Sequence, residues 1–535
     1  MSFQRMNRPH LQLLVTISVA YLFLPNCLFF AMYLRWDVAI LFFFILLLGG
    51  KRFFFMPGQS LRFPPIHDVR KKPFLFMLIV LCFLMLLSGI GGYGSQDGDW
   101  QKHNAMLSAL IRHQWPVAYS LTLPSAQSSL QQPLSVANVP LVYYIAYYLP
   151  AAVIGKLFGW FWANQALFLW TFFGGCLAIG WFQALSQQAG YLPAVIFCVF
   201  SGLDAIGISV IRFVFLGESP GMAHWIHIER WAGNWEYPSH ITSIFWAPHQ
   251  GICAWIITGL LVNELVYAES KRRVLFFLSL TALWSPFVML GAMPYIIGEL
   301  FWDTDSMRKK MADYVSMPNL CGVLLLAICG IFYLSKSYPS PLPFVPVEQG
   351  LIFSSPVVPG LSVGETLFLL VLFCMLEYGI YALLIHQSHL PFNARERRLF
   401  LISVGVLTLL PFFRYGFWND LAMRASLPAL FLLAVFLTRA LYYSATRKSI
   451  RLLIVVSLLI GAINVAVEIK RHLADISASG QWYRLPSPGA LYDIRQAGVS
   501  TSFFTQYIGS AESPFFQFLA KPLVPSEEIL PRETK

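Results

Sequence analysis

Ala137-Asn138-Val139-Pro140-Leu141-Val142-Tyr143-Tyr144-Ile145-Ala146-Tyr147-Tyr148-Leu149-Pro150-Ala151-Ala152-Val153-Ile154-Gly155-Lys156-Leu157-Phe158 is the stretch on which the topology turns. A spanning helix needs about 20 mostly apolar residues, and 137–158 has the length to cross. Counting it as a span, however, puts Lys271, Arg272 and Arg273 on the non-cytoplasmic side. Loops rich in Lys and Arg stay on the cytoplasmic side. Pro140 and Pro150 also interrupt the run. We therefore read 137–158 as a tyrosine-rich interfacial helix lying along the outer membrane surface.

With that reading every strong basic cluster falls inside. These are Lys51–Arg52, Arg70–Lys71–Lys72, Lys271–Arg272–Arg273, Arg308–Lys309–Lys310, Arg395–Arg397–Arg398 and Arg447–Lys448–Arg451. The expected spans are 11–33, 38–50, 73–91, 160–182, 191–213, 245–267, 273–287, 288–303, 319–336, 363–386, 398–414, 425–444 and 451–468. Pro286 and Gly291 split 273–303 into a helical hairpin. The expected fold class is all-α: a polytopic membrane protein of about 13 transmembrane helices, with interfacial helices in the first large outer loop. The N-terminus is expected in the cytoplasm and the C-terminus outside.

Two transmembrane helices occupy 1–50 and a basic cytoplasmic loop 51–72. A transmembrane core spans 73–468, with outer loops 92–159, 214–244, 337–362 and 415–424. A small non-cytoplasmic tail covers 469–535. Arg5 and Arg8 precede the first apolar run, and no small-residue cleavage site follows, which reads as a retained signal anchor.

Composition supports the class. Hydrophobic residues make up 57% of the 535 and charged residues 12%, against about 25% charged in soluble proteins. The net charge of +11 lies in short clusters between apolar runs, so it marks topology and not a nucleic-acid stripe. The eight cysteines lie in or beside apolar stretches without CxxC spacing, and read as small apolar residues. There is no GxxxxGK[ST] loop and no GxGxxG after a strand, which argues against use of a cytoplasmic nucleotide.

The chemistry concentrates on the outer side. Gly91-Gly92-Tyr93-Gly94 releases the chain from a span, and Asp97, Asp99, Lys102, His103 and Asn104 follow at once. Asp99 could cap the helix beginning at Trp100. A cluster of ionisable groups at the membrane boundary also marks a site, where Asp97 or Asp99 would act as a general base or bind a divalent cation through oxygen. The second loop carries His224, His227, Glu229, Trp231, Asn234, Trp235, Glu236 and Tyr237, with His249 early in the next span. Its Trp and Tyr residues suit interfacial anchoring or a sugar face. His224, His227 and Glu229 have an HxxHxE spacing without strong metal precedent, and Glu229 is the preferred second acid. The third stretch holds Arg414, Asn419, Asp420 and Arg424. Two guanidiniums at an outer boundary suit a phosphate or pyrophosphate. Asp420 could instead pair with Arg424 four residues on.

These features resemble the GT-C superfamily of membrane glycosyltransferases, such as protein O-mannosyltransferases and the bacterial aminoarabinose and oligosaccharyl transferases. The likeness rests on a long first outer loop opening with Asp97 and Asp99, on Pro140-Leu141-Val142-Tyr143-Tyr144, and on Lys156-Leu157-Phe158-Gly159. It covers roughly residues 73–470. The chain departs in having two spans before the loop-bearing helix, Asp97-Gly98-Asp99 in place of an adjacent acidic pair, and a small tail. The resemblance implies a polyprenyl-phosphate-linked sugar as donor and a glycan, lipid or protein of the cell envelope as acceptor. The catalytic candidates are then Asp97, Asp99 and Glu229. Lys102, His103, Trp231, His249, Arg414, Asn419, Asp420 and Arg424 would bind substrate. The expected home is a bacterial inner membrane. A secondary transporter or flippase for an anionic or lipid-linked solute, and a non-enzymatic factor in polysaccharide assembly, are the alternative readings.

Overall fold

The computed structural model describes residues 8–55, 71–123, 135–188, 190–217, 227–268, 270–302, 306–339, 349–353, 360–416, 418–491, 506–524 and 528–529. His224, Arg70 and most of 337–362 lie outside the described residues. Among the described residues, eight helices are long and apolar enough to cross a membrane. The chain is an integral, multi-pass membrane protein.

Three helices precede the first long loop: α1 (Arg8–Tyr33), α2 (Trp36–Phe55) and α3 (Lys71–Leu87). The loop contains α4 (Asp99–Arg112), strands β1 (Ala118–Leu123) and β2 (Ser135–Pro140), and α5 (Leu149–Phe158). Then come α6 (Trp160–Ser186), α7 (Tyr191–Val199), α8 (Asp204–Leu216), α9 (His240–Trp246), α10 (Pro248–Val262) and α11 (Val274–Ser279). The remainder is α12 (Pro286–Trp302), α13 (Met307–Tyr314), α14 (Met317–Leu334), β3 (Gln349–Leu351), α15 (Val363–Cys374), α16 (Ile380–Gln387), α17 (Ala394–Leu409), β4 (Phe413–Tyr415), α18 (Asp420–Ala425), α19 (Leu427–Tyr442), α20 (Lys448–Ser479) and β5 (Glu528–Ile529).

Several expectations change. Residues 137–158 are not one surface helix. Their first part is strand β2, which pairs antiparallel with β1 over Ala118–Leu123, while β5 adds a parallel edge. A fold expected to be all-α thus carries a small sheet. Val139 and Pro140 end an extended strand because proline has no N–H to continue a helical ladder. Only α5 keeps a membrane-surface character: Leu157 and Phe158 are 68% and 65% exposed, and its continuation into α6 exposes Phe161 and Trp162. Tyr143, Tyr147 and Tyr148 are buried. The hairpin in 273–303 forms differently. Helix α11 ends after six residues, Leu280–Ser285 turn, and α12 runs unbroken from Pro286 through Gly291.

The last helix is longer than expected. At about 1.5 Å per residue, the 32 residues of α20 extend roughly 48 Å, well beyond a hydrocarbon core of about 30 Å. Glu468 therefore closes the expected span 451–468, and Arg471 and His472 stand past its end. The tail beyond is stitched to the first loop. Gly94 donates to the Trp482 carbonyl and Arg484 to the Gly92 carbonyl, both at 2.9 Å. Val142 donates to Tyr507 and Lys521 to Tyr33. Gly92 (φ +92°) and Gly94 (φ +74°) permit this close approach. A Cβ on either would stand 2.4 Å from a backbone carbonyl oxygen.

Among the described residues, the clusters Lys271–Arg273 and Arg395–Arg398 meet at one end of the bundle and are ion-paired there. Glu299 receives Lys271 at 3.2 Å, Arg398 at 3.0 Å and Arg395 at 3.6 Å. Arg273 pairs with Glu264, Arg272 with Asp313, and Arg439 with Glu396. Helices α10, α12, α17 and α20 each run between this end and the end that carries the loop of 92–159.

Candidate functional site

Asp97 and Asp99 leave the glycine turn in opposite roles. Asp97 is buried and accepts a hydrogen bond from Arg471. His472 Nε2 lies 3.1 Å from its other oxygen, and His472 Nδ1 contacts the Ser95 carbonyl at 3.1 Å. Arg471 also reaches Glu468 at 2.5 Å. Asp99 begins α4 in its first turn, makes no capping hydrogen bond, and pairs with Lys102 at 3.2 Å. Burial pushes its carboxyl up, but Lys102, His103 and Arg424 more than reverse this and hold it below the usual carboxylate range. Asp99 is thus an ionised, half-buried carboxylate beside two cations.

His103 has both ring nitrogens engaged within the protein. Its Nε2 lies 2.9 Å from the Trp246 carbonyl and its Nδ1 2.5 Å from the Tyr148 hydroxyl. A carbonyl can only accept, so Nε2 carries the proton and Nδ1 accepts from Tyr148. Burial, then the charge of Lys102, pushes the imidazole down to about 3. This neutral histidine pins α4 to α9 and to the tyrosine stretch.

His249, by contrast, is fully buried with neither ring nitrogen hydrogen-bonded. Tyr144 stacks on it with centroids 5.4 Å apart, and His103 meets it edge-on at 5.2 Å. Arg424 completes this group. It is buried, its Nε has no partner, and it lies within electrostatic reach of Asp420, Asp99, Tyr144 and Glu236. The expected pairing with Asp420 shows no hydrogen bond or ion pair among the described residues. The Asp420 carboxylate packs instead against Gly416, where a Cβ would stand 2.7 Å from Oδ2. Asn419, in a left-handed conformation, holds the turn by accepting from the Tyr415 N–H at 3.3 Å. Arg414 is buried on β4, opposite Gly350 of β3.

Glu229 sits in a separate, fully buried cage. One oxygen accepts from the Ser239 N–H and the Thr242 hydroxyl, both at 2.9 Å, and from Asn464. Burial first, then the nearby Asp204 and Glu236, pushes its carboxyl up to about 8. It is therefore a poor general base at neutral pH. Trp231 does not offer a sugar face, because its indole N–H donates to Glu377 at 2.8 Å and the ring is buried. His227 contacts Glu468 through Nδ1 at 3.0 Å. Burial lowers its basicity, but Glu236 and Glu468 raise it well above the ordinary histidine value.

Among the described residues, two groups offer metal-type donors: Asp97 with Glu468 and His472, and His227 with Glu229 and Glu236. In the first, the Arg471 guanidinium already bridges Asp97 and Glu468 and supplies the cation. Glu468, Arg471 and His472 escaped sequence reading because they lie at or just past the end of the apolar part of α20. The EIKRH run, with a carboxylate three residues before an arginine on one helix face, is the signal that could have found them. Compared with known proteins, the chain matches no family model, no curated protein and no solved structure.

Proposed function

We propose that this protein is a GT-C-type membrane glycosyltransferase that moves a sugar from a polyprenyl-phosphate donor to an envelope acceptor on the non-cytoplasmic face. One observation carries the reading. Asp99, Lys102, Arg424, His249 and Tyr144 converge at the end of the bundle opposite the neutralised basic clusters. Within this group a carboxylate stands beside a lysine and a buried arginine. An anion entering there is matched by cations already in place, with little reorganisation.

In this reading the acceptor hydroxyl gives its proton to Asp99 as its oxygen bonds to the anomeric carbon of the sugar. The bond from that carbon to the phosphate oxygen breaks, and the electron pair leaves with the phosphate. Lys102 and Arg424 stabilise the charge that develops on it. Asp97, held by Arg471, positions the loop. The acceptor is a glycan, lipid or protein of the envelope, and the membrane is a bacterial inner membrane with the N-terminus in the cytoplasm. The test is sugar transfer from a short-chain polyprenyl-phosphate sugar by purified protein. Transfer lost in Asp99→Asn, with folding and insertion intact, supports the reading. Full transfer by that variant sinks it.

A transporter reading has one observation in its favour. Asp204 and Glu377 are buried carboxyls within apolar helices, each with one oxygen lacking a hydrogen-bond donor. Ionisable groups at that depth commonly mark transport paths. Gradient-dependent solute accumulation in vesicles, abolished by Glu377→Gln, would favour it over transfer.

A further inference from the structure

We propose that His227, Glu229 and Glu236 form a binding site for one divalent transition-metal ion of the Zn2+ or Mn2+ class. One donor atom from each lies within 4.8 Å of the other two. The three come from a single tight segment whose backbone is pinned. Ala232 and Trp235 form a bridge, Trp235 donates to the Pro411 carbonyl at 2.9 Å, and Trp231 donates to Glu377. The donors are therefore held in place before any ion arrives.

His227 and Glu229 are also oriented by hydrogen bonds, while Glu236 Oε2 faces Arg230 Nε at 3.9 Å. His227 Nδ1 faces Glu468 Oε1 at 3.0 Å, the arrangement by which a carboxylate fixes a metal-bound imidazole and leaves Nε2 to the ion. That Nε2 lies 3.7 Å from Glu236 Oε1. The gap is too long for a hydrogen bond, and close to the roughly 3.4 Å between two ligands at tetrahedral positions about 2.1 Å from an ion. Glu229 Oε1 is fixed by Ser239, Thr242 and Asn464, while Oε2 is buried and has no hydrogen-bond partner. A side chain so firmly held by one oxygen presents the other as a ready ligand. One imidazole and two carboxylates suit zinc or manganese better than copper or a thiolate-bound metal. Binding displaces the proton from His227 Nε2 and from Glu229. The inference does not rest on the transferase reading: its three ligands hold an ion whatever the neighbouring group does, although Glu468 and Arg471 join them to Asp97 and Arg424 faces Glu236 electrostatically.

The competing arrangement is an imidazolium held between Glu468 and Glu236, which binds no metal. Full-length protein in detergent is stripped with EDTA, reloaded with Zn2+ or Mn2+ and dialysed, and its metal is measured by mass spectrometry. We expect about one ion per chain in the wild type, a loss of most of it in His227→Ala and Glu236→Gln, and a roughly 10-fold weaker affinity in Glu468→Gln. Wild-type protein that retains less than about a tenth of an ion per chain overturns the proposal. So does retention by both ligand variants equal to that of the wild type. Because the variants could misfold, the stripped wild type is also melted with and without each ion. A rise in Tm with Zn2+ or Mn2+ supports the site, and an unchanged Tm overturns it.

Discussion

Arg471, near the end of α20, is hydrogen-bonded to Asp97, which lies 374 residues earlier in the first polar loop. Its second terminal nitrogen holds Glu468. The last long helix thereby clamps the glycine-rich exit from α3, and the acid that opens the first loop faces a fixed guanidinium.

Removing that guanidinium leaves Asp97 buried without a counter-charge. Arg471→Met should cost about 3 kcal/mol or more of stability, the range for breaking a buried ion pair from one side. Arg471→Lys should recover part of it. Thermal unfolding of detergent-purified variants reads the difference, and an Arg471→Met protein that melts with the wild type would refute the clamp.

The two acids of the loop should separate under substitution. The Asp99 side chain is 21% exposed and salt-bridged only to Lys102 among the described residues, a pair worth about 1 kcal/mol to folding. Asp99→Asn should therefore melt normally yet fail to transfer sugar. Asp97→Asn should melt lower and lose activity only in proportion to folded protein. Equal behaviour of the two variants in both assays would remove the distinction.

Arg424 and Lys102 are assigned to the leaving phosphate. Arg424→Gln should lower turnover by about 100-fold or more, as loss of one preorganised charge-stabilising group does. Lys102→Gln should act in the same direction. Steady-state kinetics with a soluble donor analogue decides the matter: a change confined to KM for the acceptor would place these cations elsewhere.

His103 makes a prediction about acid. Its folded value near 3 lies below the histidine reference of 6.5. Between those values the unfolded chain binds a proton that the folded one does not, so stability falls as pH drops through that window. From pH 6.5 to 5 this one group contributes about 2 kcal/mol of acid sensitivity. His103→Asn should flatten that part of the Tm-against-pH curve. Curves of identical slope would show that the imidazole is charged in the fold.

Sidedness is open to direct measurement. Gln101 and Gln481 are exposed at the site end, and Lys309 and Arg397 at the other. In a background without the eight native cysteines, Gln101→Cys and Gln481→Cys should react with an impermeant thiol reagent applied outside. Lys309→Cys and Arg397→Cys should react only after permeabilisation. The reverse pattern would invert the whole topology.

Much of the helical layout is legible in the residues because the signal is local. A run such as Leu11–Tyr33 declares a span by length and apolarity alone, whatever it packs against. The clusters at 271–273 and 395–398 likewise meet at one end, as their placement between apolar runs suggests. Residues 137–158 misled for the same reason. Their apolarity reports burial, and buried strand, irregular tyrosine stretch and helix cannot be separated by apolarity without the partners they pack on.

By itself, the sequence determined that this is a membrane protein with recurrent apolar helices, and that its unusual ionisable residues cluster in a few polar stretches. Only the tertiary structure decided what each of those residues does. His103 and His249 are equally buried, yet one has both ring nitrogens engaged and the other has neither. Asp97 and Asp99 are two residues apart, yet one is clamped by Arg471 and the other stands beside Lys102 and Arg424. The physical reason is that apolar transfer is a property of each segment, read residue by residue. A buried polar group is defined by the partner that satisfies it, and those partners come from helices hundreds of residues away.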